Sequence, residues 1–144
     1  MMIMMLWRML LQDNQGKTML HVAVEKGKDE VVECLLKAGA HLHVLDNCGM
    51  TPLMLSILSS DSVECKQSVE NIVKLLSARD DKLDLPDTSG RTALHLASMI
   101  EDYSLRKKLI KILDEAGAPI NVKDVNGDTP VDLGYRMSEH TLFD

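Results

Sequence analysis

The sequence predicts an all-α array of short stacked repeats, and two observations carry that expectation. One phrase is written four times: Asp13, Gly16, Thr18, Leu20, His21; Asp46, Gly49, Thr51, Pro52, Leu53; Asp87, Gly90, Thr92, Leu94, His95; and Asp124, Gly127, Thr129, Pro130, Val131. The first two glycines lie 33 residues apart and the later gaps are 41 and 37, the same unit carrying insertions of eight and four residues. That first period separates the array from helical repeats of about 34 or about 40 residues. The second observation is that only four of the 144 residues are aromatic: Trp7, Tyr103, Tyr135 and Phe143. The core must then be built from Leu, Val, Ile, Ala and Met, as befits short helices stacked so that neighbours bury what no single repeat can.

The first element in chain order does not fit the repeat. Ten of the eleven residues in Met1–Leu11 are apolar, Arg8 being the exception. The segment is shorter than the roughly 20 residues a membrane-crossing helix needs. It also lacks the cationic start and small-residue cleavage site of a secretory signal. In register, Leu10 and Leu11 fall where His43 and Val44 fall, so the segment is not simply the tail of a preceding repeat. The expectation is a short helix that packs Ile3, Leu6, Trp7 and Leu10 against the first repeat as a makeshift cap. An interfacial membrane anchor, or a start that truncates a longer array, are the sharper alternatives.

Within each repeat the residue types have local causes. Gly at the fourth position suits a tight turn that demands positive φ. Thr at the sixth can cap the helix starting there, and Pro at the seventh fits a first helical turn because its missing N–H had no partner. Pro52 and Pro130 keep this device, whereas Met19 and Ala93 lose it. A second helix follows, with apolar Val31, Val32, Cys34 and Leu35 in the first repeat, Ile72, Val73, Leu75 and Leu76 in the second, and Leu109, Ile110, Ile112 and Leu113 in the third. Gly39 and Gly117 suit the left-handed cap that ends such a helix. The second repeat reads Asp80-Asp81 at this corner, which should loosen or reshape it.

These motifs resemble the ankyrin repeat over about residues 13–144. The resemblance implies an ankyrin-repeat solenoid of antiparallel helix pairs joined by projecting β-hairpin loops, with an L-shaped cross-section and a concave binding face. The expected division is an apolar segment 1–12, repeats 13–45, 46–86 and 87–123, and a partial repeat 124–144. Leu142 and Phe143 take the positions of Val31 and Val32. The chain thus stops as a fourth second helix would begin, either a natural frayed end or the mark of a fragment or short isoform.

The resemblance also places partner-facing residues at hairpin tips and on the inner face of each first helix. These are Asn14, Gln15, Lys17, Glu25 and Lys26; Asn47, Cys48, Met50, Leu58 and Ser59; Thr88, Ser89, Arg91, Met99 and Ile100; and Val125, Asn126 and Asp128. The first repeat is charged there, while Met50, Leu58, Met99 and Ile100 form an expected apolar patch, either open to a partner or partly covered by the insertions. Exposed apolar groups rimmed by polar ones mark interaction sites. The insertions, Ser59–Ser68 and Ile100–Ser104, lengthen the links between paired helices and are candidate carriers of specificity. The former is also a candidate phosphorylation target.

Catalytic readings find little support. His21 and His95 occupy the Thr-x-Leu-His slot, where the family's imidazole is a structural link between hairpins and helices. Asp13, Asp46, Asp87 and Asp124 recur as turn-formers, each able to hydrogen-bond the backbone of its own turn. An acid–base pair instead needs carboxyls converging in one cleft. Cys34, His41, His43 and Cys48 include zinc-ligand types, but their spacing matches no tight ligand loop. No catalytic residue, metal or cofactor is expected.

A formal charge of −6 without a Lys/Arg-rich run argues against a nucleic-acid partner. Three cysteines, Cys34, Cys48 and Cys65, cannot all pair and form no C-x-x-C, which suits a reduced intracellular, cytoplasmic or nuclear, setting. The expectation is a monomeric, non-catalytic module that binds another protein as scaffold, adaptor or inhibitor. The run from Ser89 to Ala97 is similar to inhibitors of Rel-type transcription factors. A membrane-associated ankyrin protein held by its apolar N-terminus is the alternative of another class.

Overall fold

The computed structural model describes residues 11–134. The expected cap or anchor at Met1–Leu10 and the truncated fourth second helix lie outside those residues. The chain divides into two compact units between Leu76 and Ser77, so that repeat 1 and repeat 2 as far as Leu76 fall in one, and the end of repeat 2 with repeats 3 and 4 falls in the other.

In the first unit, α1 (Met19–Glu25) and α2 (Asp29–Lys37) form the pair of repeat 1, and α3 (Pro52–Leu58) and α4 (Lys66–Arg79), whose last residues pass the division, form that of repeat 2. Helix α1 packs on both α2 and α3. Each first helix starts where a Thr supplies the missing acceptor. Thr18 Oγ1 takes the backbone N–H of His21 and Thr51 Oγ1 that of Met54 at 3.2 Å, with Pro52 in the first turn as expected. Replacing such a cap by Ala costs about 1 kcal/mol. Leu20, Val24, Val32, Leu53, Ile57 and Ile72 are buried between the helices. Truncating one such side chain to Ala costs about 2–5 kcal/mol. Val31 and Cys34, counted with the apolar face from sequence, are exposed instead.

The link between α3 and α4 does not remain a polar loop. Ser60–Ser62 form one turn of 3-10 helix, the carbonyl of Ser60 accepts from Lys66 Nζ, and Val63 is 7% exposed. Val63 lies against Gly27, the turn between α1 and α2, where an added Cβ would stand 2.6 Å from Val63 Cγ1. The insertion of repeat 2 thus folds back onto repeat 1. In the same unit, Asn71 Nδ2 donates to Asp29 Oδ2 at 2.9 Å, tying α4 to α2. Helix α4 ends without glycine: Asp80 Oδ1 accepts from the Lys82 N–H at 2.7 Å and makes the corner as a side-chain-closed turn. By contrast, Gly39 and Gly117 end their helices at φ +90° and +92°, as the left-handed cap requires.

In the second unit, α5 (Ala93–Ser98) and α6 (Tyr103–Glu115) pack on each other around Leu94, Ala97, Leu105, Leu109 and Leu113. The short insertion before α6 is also tied down. Asp102 Oδ1 caps α6 through the Leu105 N–H at 3.1 Å, and Arg106, 6% exposed, donates from Nη1 to the Ile100 carbonyl at 3.0 Å. A helical stretch at 130–134 opens the fourth repeat. No strand occurs among the described residues, so the projecting loops are hairpin turns rather than sheet.

Candidate functional site

All four hairpins are built alike. Each Asp N–H donates to the carbonyl four residues on (Lys17, Met50, Arg91 and Asp128, at 2.8–3.0 Å), and each Gly N–H returns to the Asp carbonyl. Each Asp carboxylate then accepts the two backbone N–H groups at the tip. These are Gln15 and Lys17 for Asp13, Cys48 and Met50 for Asp46, Ser89 and Arg91 for Asp87, and Asn126 and Asp128 for Asp124, all at 2.8–2.9 Å. Hydrogen bonds to the ionised form lower a carboxyl pKa. The Lys17 N–H holds Asp13 below its ordinary 3.8, and the Asp128 N–H does the same for Asp124.

Within each compact unit, the first helix of one repeat grips the hairpin of the next. His21 Nε2 donates to the Met50 carbonyl at 2.9 Å, and His95 Nε2 to the Asp128 carbonyl at 2.8 Å. A carbonyl can only accept, so Nδ1 must be the acceptor. It takes the N–H of Thr18 at 3.1 Å in repeat 1 and that of Thr92 at 3.1 Å in repeat 3, with the Thr hydroxyls at 2.9 and 3.0 Å. Both rings are fully buried. Backbone contacts at the tips extend the joint: Asn47 N–H donates to the Gln15 carbonyl at 2.9 Å, and Val125 N–H to that of Ser89 at 3.0 Å. Gly16, at φ +76°, leaves room for this approach, since a Cβ there would stand 2.7 Å from Asn47 N.

With backbone and carboxylates occupied in this way, the tip side chains face outward. Asn14, Gln15, Lys26, Asn47, Cys48, Thr88, Val125 and Asn126 are exposed, and Leu58 and Val125 keep 49% and 71% of their surface in solvent. Lys17, Glu25, Met50, Ser59, Ser89, Arg91 and Met99 are half-buried. Lys17 Nζ meets Glu25 at 2.9 Å, and that carboxylate raises the lysine pKa above its ordinary 10.5. Arg91 Nε approaches Asp124 Oδ2 at 3.6 Å. Ile100 and Asp128, placed on the surface from sequence, are each only 7% exposed. Ile100 is drawn inward where its carbonyl meets Arg106, and Asp128 supplies the carbonyl that receives His95.

Sequence reading missed Gln12, whose Nε2 bridges the carbonyls of Gly16 at 2.8 Å and Leu45 at 3.1 Å. A lone Gln before a turn gives no sign of that role. Cys34, Cys48 and Cys65 are free and exposed, and the Ser68 hydroxyl and N–H hold the Cys65 thiol below its ordinary 9.0. Among the described residues, no helix is long and apolar enough to cross a membrane.

Helix pairs joined by clasped hairpins, with side chains displayed at the tips, define the class of repeat proteins whose surface is for binding. The chain belongs to the ankyrin-repeat family: the family model described as ankyrin repeats (3 copies) matches residues 5–70, and the ankyrin repeat model matches 89–125. Ankyrin repeats are protein–protein interaction modules, in general without catalysis of their own. The chain is 32% identical to the nuclear factor NF-kappa-B p105 subunit of Gallus gallus over 92% of its length and 13% of that protein. It is 30% identical to the B-cell lymphoma 3 protein homolog of Mus musculus over 84% of its length and 25% of that protein. Identity to Rabankyrin-5 of Mus musculus is 27%, over 88% of the chain and 13% of that protein. The chain therefore spans a quarter or less of these curated relatives.

Proposed function

We propose that the chain is a non-catalytic binding module that scaffolds, recruits or masks a partner protein through its hairpin tips and the exposed residues of its first helices. The observation that carries this reading is the division of labour in the hairpins. Asp13, Asp46, Asp87 and Asp124 accept the tip N–H groups, which leaves Gln15, Cys48, Thr88, Val125 and Asn126 without a turn to hold and open to contact. The same bonds argue against catalysis, because the carboxylates and the buried imidazoles are engaged in holding turns. Capture of partners from cell extract, compared between the chain and its Gln15→Glu, Leu58→Asp and Val125→Asp variants, tests this reading. Loss of a partner in correctly folded variants supports it. Undiminished recovery with all three combined would place binding elsewhere.

A second reading is that of an inhibitor of a Rel-type transcription factor. It is favoured by the identity to the p105 subunit and to the B-cell lymphoma 3 homolog over most of this chain. Titration of a purified Rel-type dimer with the chain tests it, and absence of a complex at micromolar concentration removes it.

A further inference from the structure

Helix α6 displays a short cationic face on a chain whose formal charge is −6. Leu105, Leu109 and Leu113 are buried at a spacing of four and pack towards α5. Tyr103, Lys107 and Lys111 follow the same spacing but form an exposed stripe, since residues four apart share one face of a helix. Tyr103 is 66% exposed, yet its ring is held in place. The guanidinium of Arg106 lies 5.4 Å from the ring centroid and is itself anchored on the Ile100 carbonyl. A cation within about 6 Å of the centroid is attracted to the ring, so Tyr103 is oriented without being hidden. Neither Lys107 nor Lys111 has an ion-pair partner among the described residues. Glu115 stands four residues after Lys111, the less favourable order for a pair along a helix.

We propose that this face docks a short acidic segment of a partner protein, its carboxylates on Lys107 and Lys111 and an apolar side chain against Tyr103. Charge complementarity favours that occupant, and the extent of the face sets its size. From Tyr103 to Lys111 the helix rises about 12 Å, which an extended segment covers in about four residues. Carboxylates on alternate residues of such a segment stand about 7 Å apart, close to the rise of about 6 Å between the two lysines. Exposed acids bound the face at both ends, Glu101 and Asp102 before Tyr103, Asp114 and Glu115 after Lys111. A longer polyanion, whether nucleic acid or an anionic membrane, meets those acids within a Debye length of about 10 Å, whereas a short peptide stops before them. Tyr is enriched at interfaces, and one oriented in advance loses little freedom on binding. The face lies on a second helix, so it adds to the hairpin tips and first helices of the proposed binding surface and does not depend on them.

Titration of the full chain into a fluorescein-labelled hexapeptide of alternating glutamate and leucine, followed by fluorescence anisotropy, tests the assignment. Saturable binding that weakens as salt rises is expected. Lys107→Glu and Lys111→Glu combined should weaken it about tenfold or more, because two exposed attractions become repulsions. Tyr103→Ala should also weaken it but keep the salt dependence. Lys37→Glu with Lys74→Glu makes the same change in net charge on exposed lysines of α2 and α4 and should leave the affinity nearly unchanged. Circular dichroism checks folding, and Lys107→Gln with Lys111→Gln replaces the reversed pair if helical signal falls. Absence of saturable binding up to about 1 mM at low salt overturns the proposal. So does binding that ignores the Lys107 and Lys111 changes, or that falls equally in the Lys37 and Lys74 pair. Tighter binding of a single-stranded DNA oligonucleotide or of phosphatidylcholine–phosphatidylserine vesicles, lost with the Lys107 and Lys111 changes, assigns the face to nucleic acid or membrane and overturns it as well.

Discussion

His21 closes a hairpin that belongs to the following repeat: its Nε2–H and the Asp46 N–H converge on the one carbonyl of Met50, at 2.9 and 3.0 Å. His95 does the same in the second unit, sharing the Asp128 carbonyl with the Asp124 N–H. One buried ring thus caps its own helix through Nδ1 and fixes the base of the next turn through Nε2.

Replacing His21 or His95 by Ala removes both functions at once. A typical hydrogen bond contributes about 1 kcal/mol net, and a buried group left unpaired costs about 1–3 kcal/mol. Each variant should lose about 2–4 kcal/mol, read from urea midpoints at constant slope. Hydrogen exchange should accelerate at the Thr18 N–H for His21→Ala and at the Thr92 N–H for His95→Ala. Unchanged midpoints would refute the clasp.

Gly16 and Gly39 separate backbone strain from crowding. Both have positive φ, +76° and +90°, but a Cβ at Gly39 meets nothing within 4 Å, whereas one at Gly16 would stand 2.5 Å from Asn47 Oδ1 and 2.7 Å from Asn47 N. Gly39→Ala should cost only the left-handed penalty of about 1–2 kcal/mol. Gly16→Ala should cost more, because the adjacent hairpin must move. Equal thermal shifts for the two variants would contradict the close approach.

Val63 and Gly27 should be energetically coupled. Gly27→Ala sets a methyl 2.6 Å from Val63 Cγ1, on top of its own φ of +68°. Val63→Ala alone forfeits buried apolar surface, about 1–2 kcal/mol. In the double variant the clash has no second partner, so the combined loss should fall short of the sum by more than about 0.5 kcal/mol, the usual limit for independent sites. Additivity would mean that the insertion does not rest on repeat 1.

Acid should weaken the fold through the hairpin carboxylates. Asp13 and Asp124 have folded pKa values lowered from 3.8, first by the N–H groups of Lys17 and Asp128 respectively. Below 3.8 the unfolded chain then binds more protons than the folded one, so stability is full above that pH and is lost as pH falls through the folded values. Asp13→Asn and Asp124→Asn keep an acceptor oxygen but no titrating carboxyl. Combined, they should flatten the dependence of the urea midpoint on pH below 3.8.

What the sequence revealed was the set of relationships closed within a few residues. Asp13 reaches Lys17, Thr51 reaches Met54, and Gly39 supplies its own φ, so residue type and spacing are enough to define each bond. The clasping role of His21 and His95 was legible for a different reason: it came from family resemblance rather than from local spacing. Longer returns of the chain were hidden. A single valine in Ser-Asp-Ser-Val-Glu does not say that the loop will settle on Gly27. Nor does Ile100 announce that Arg106 will fold over its carbonyl and take it out of the expected patch. Cys34 and Val31 failed in the other direction: both are exposed on α2, because apolar character alone does not ensure a neighbour.

The clasp has a further consequence for recognition. The carbonyl held by His21 lies at the base of the same hairpin whose tip carries Asn47 and Cys48. In the proposed binding mode, a partner held at that tip would load the seam between two repeats, not one loop. Contact at the surface and cohesion of the array are therefore mechanically the same event, and a gripped tip should make its unit harder to pry apart.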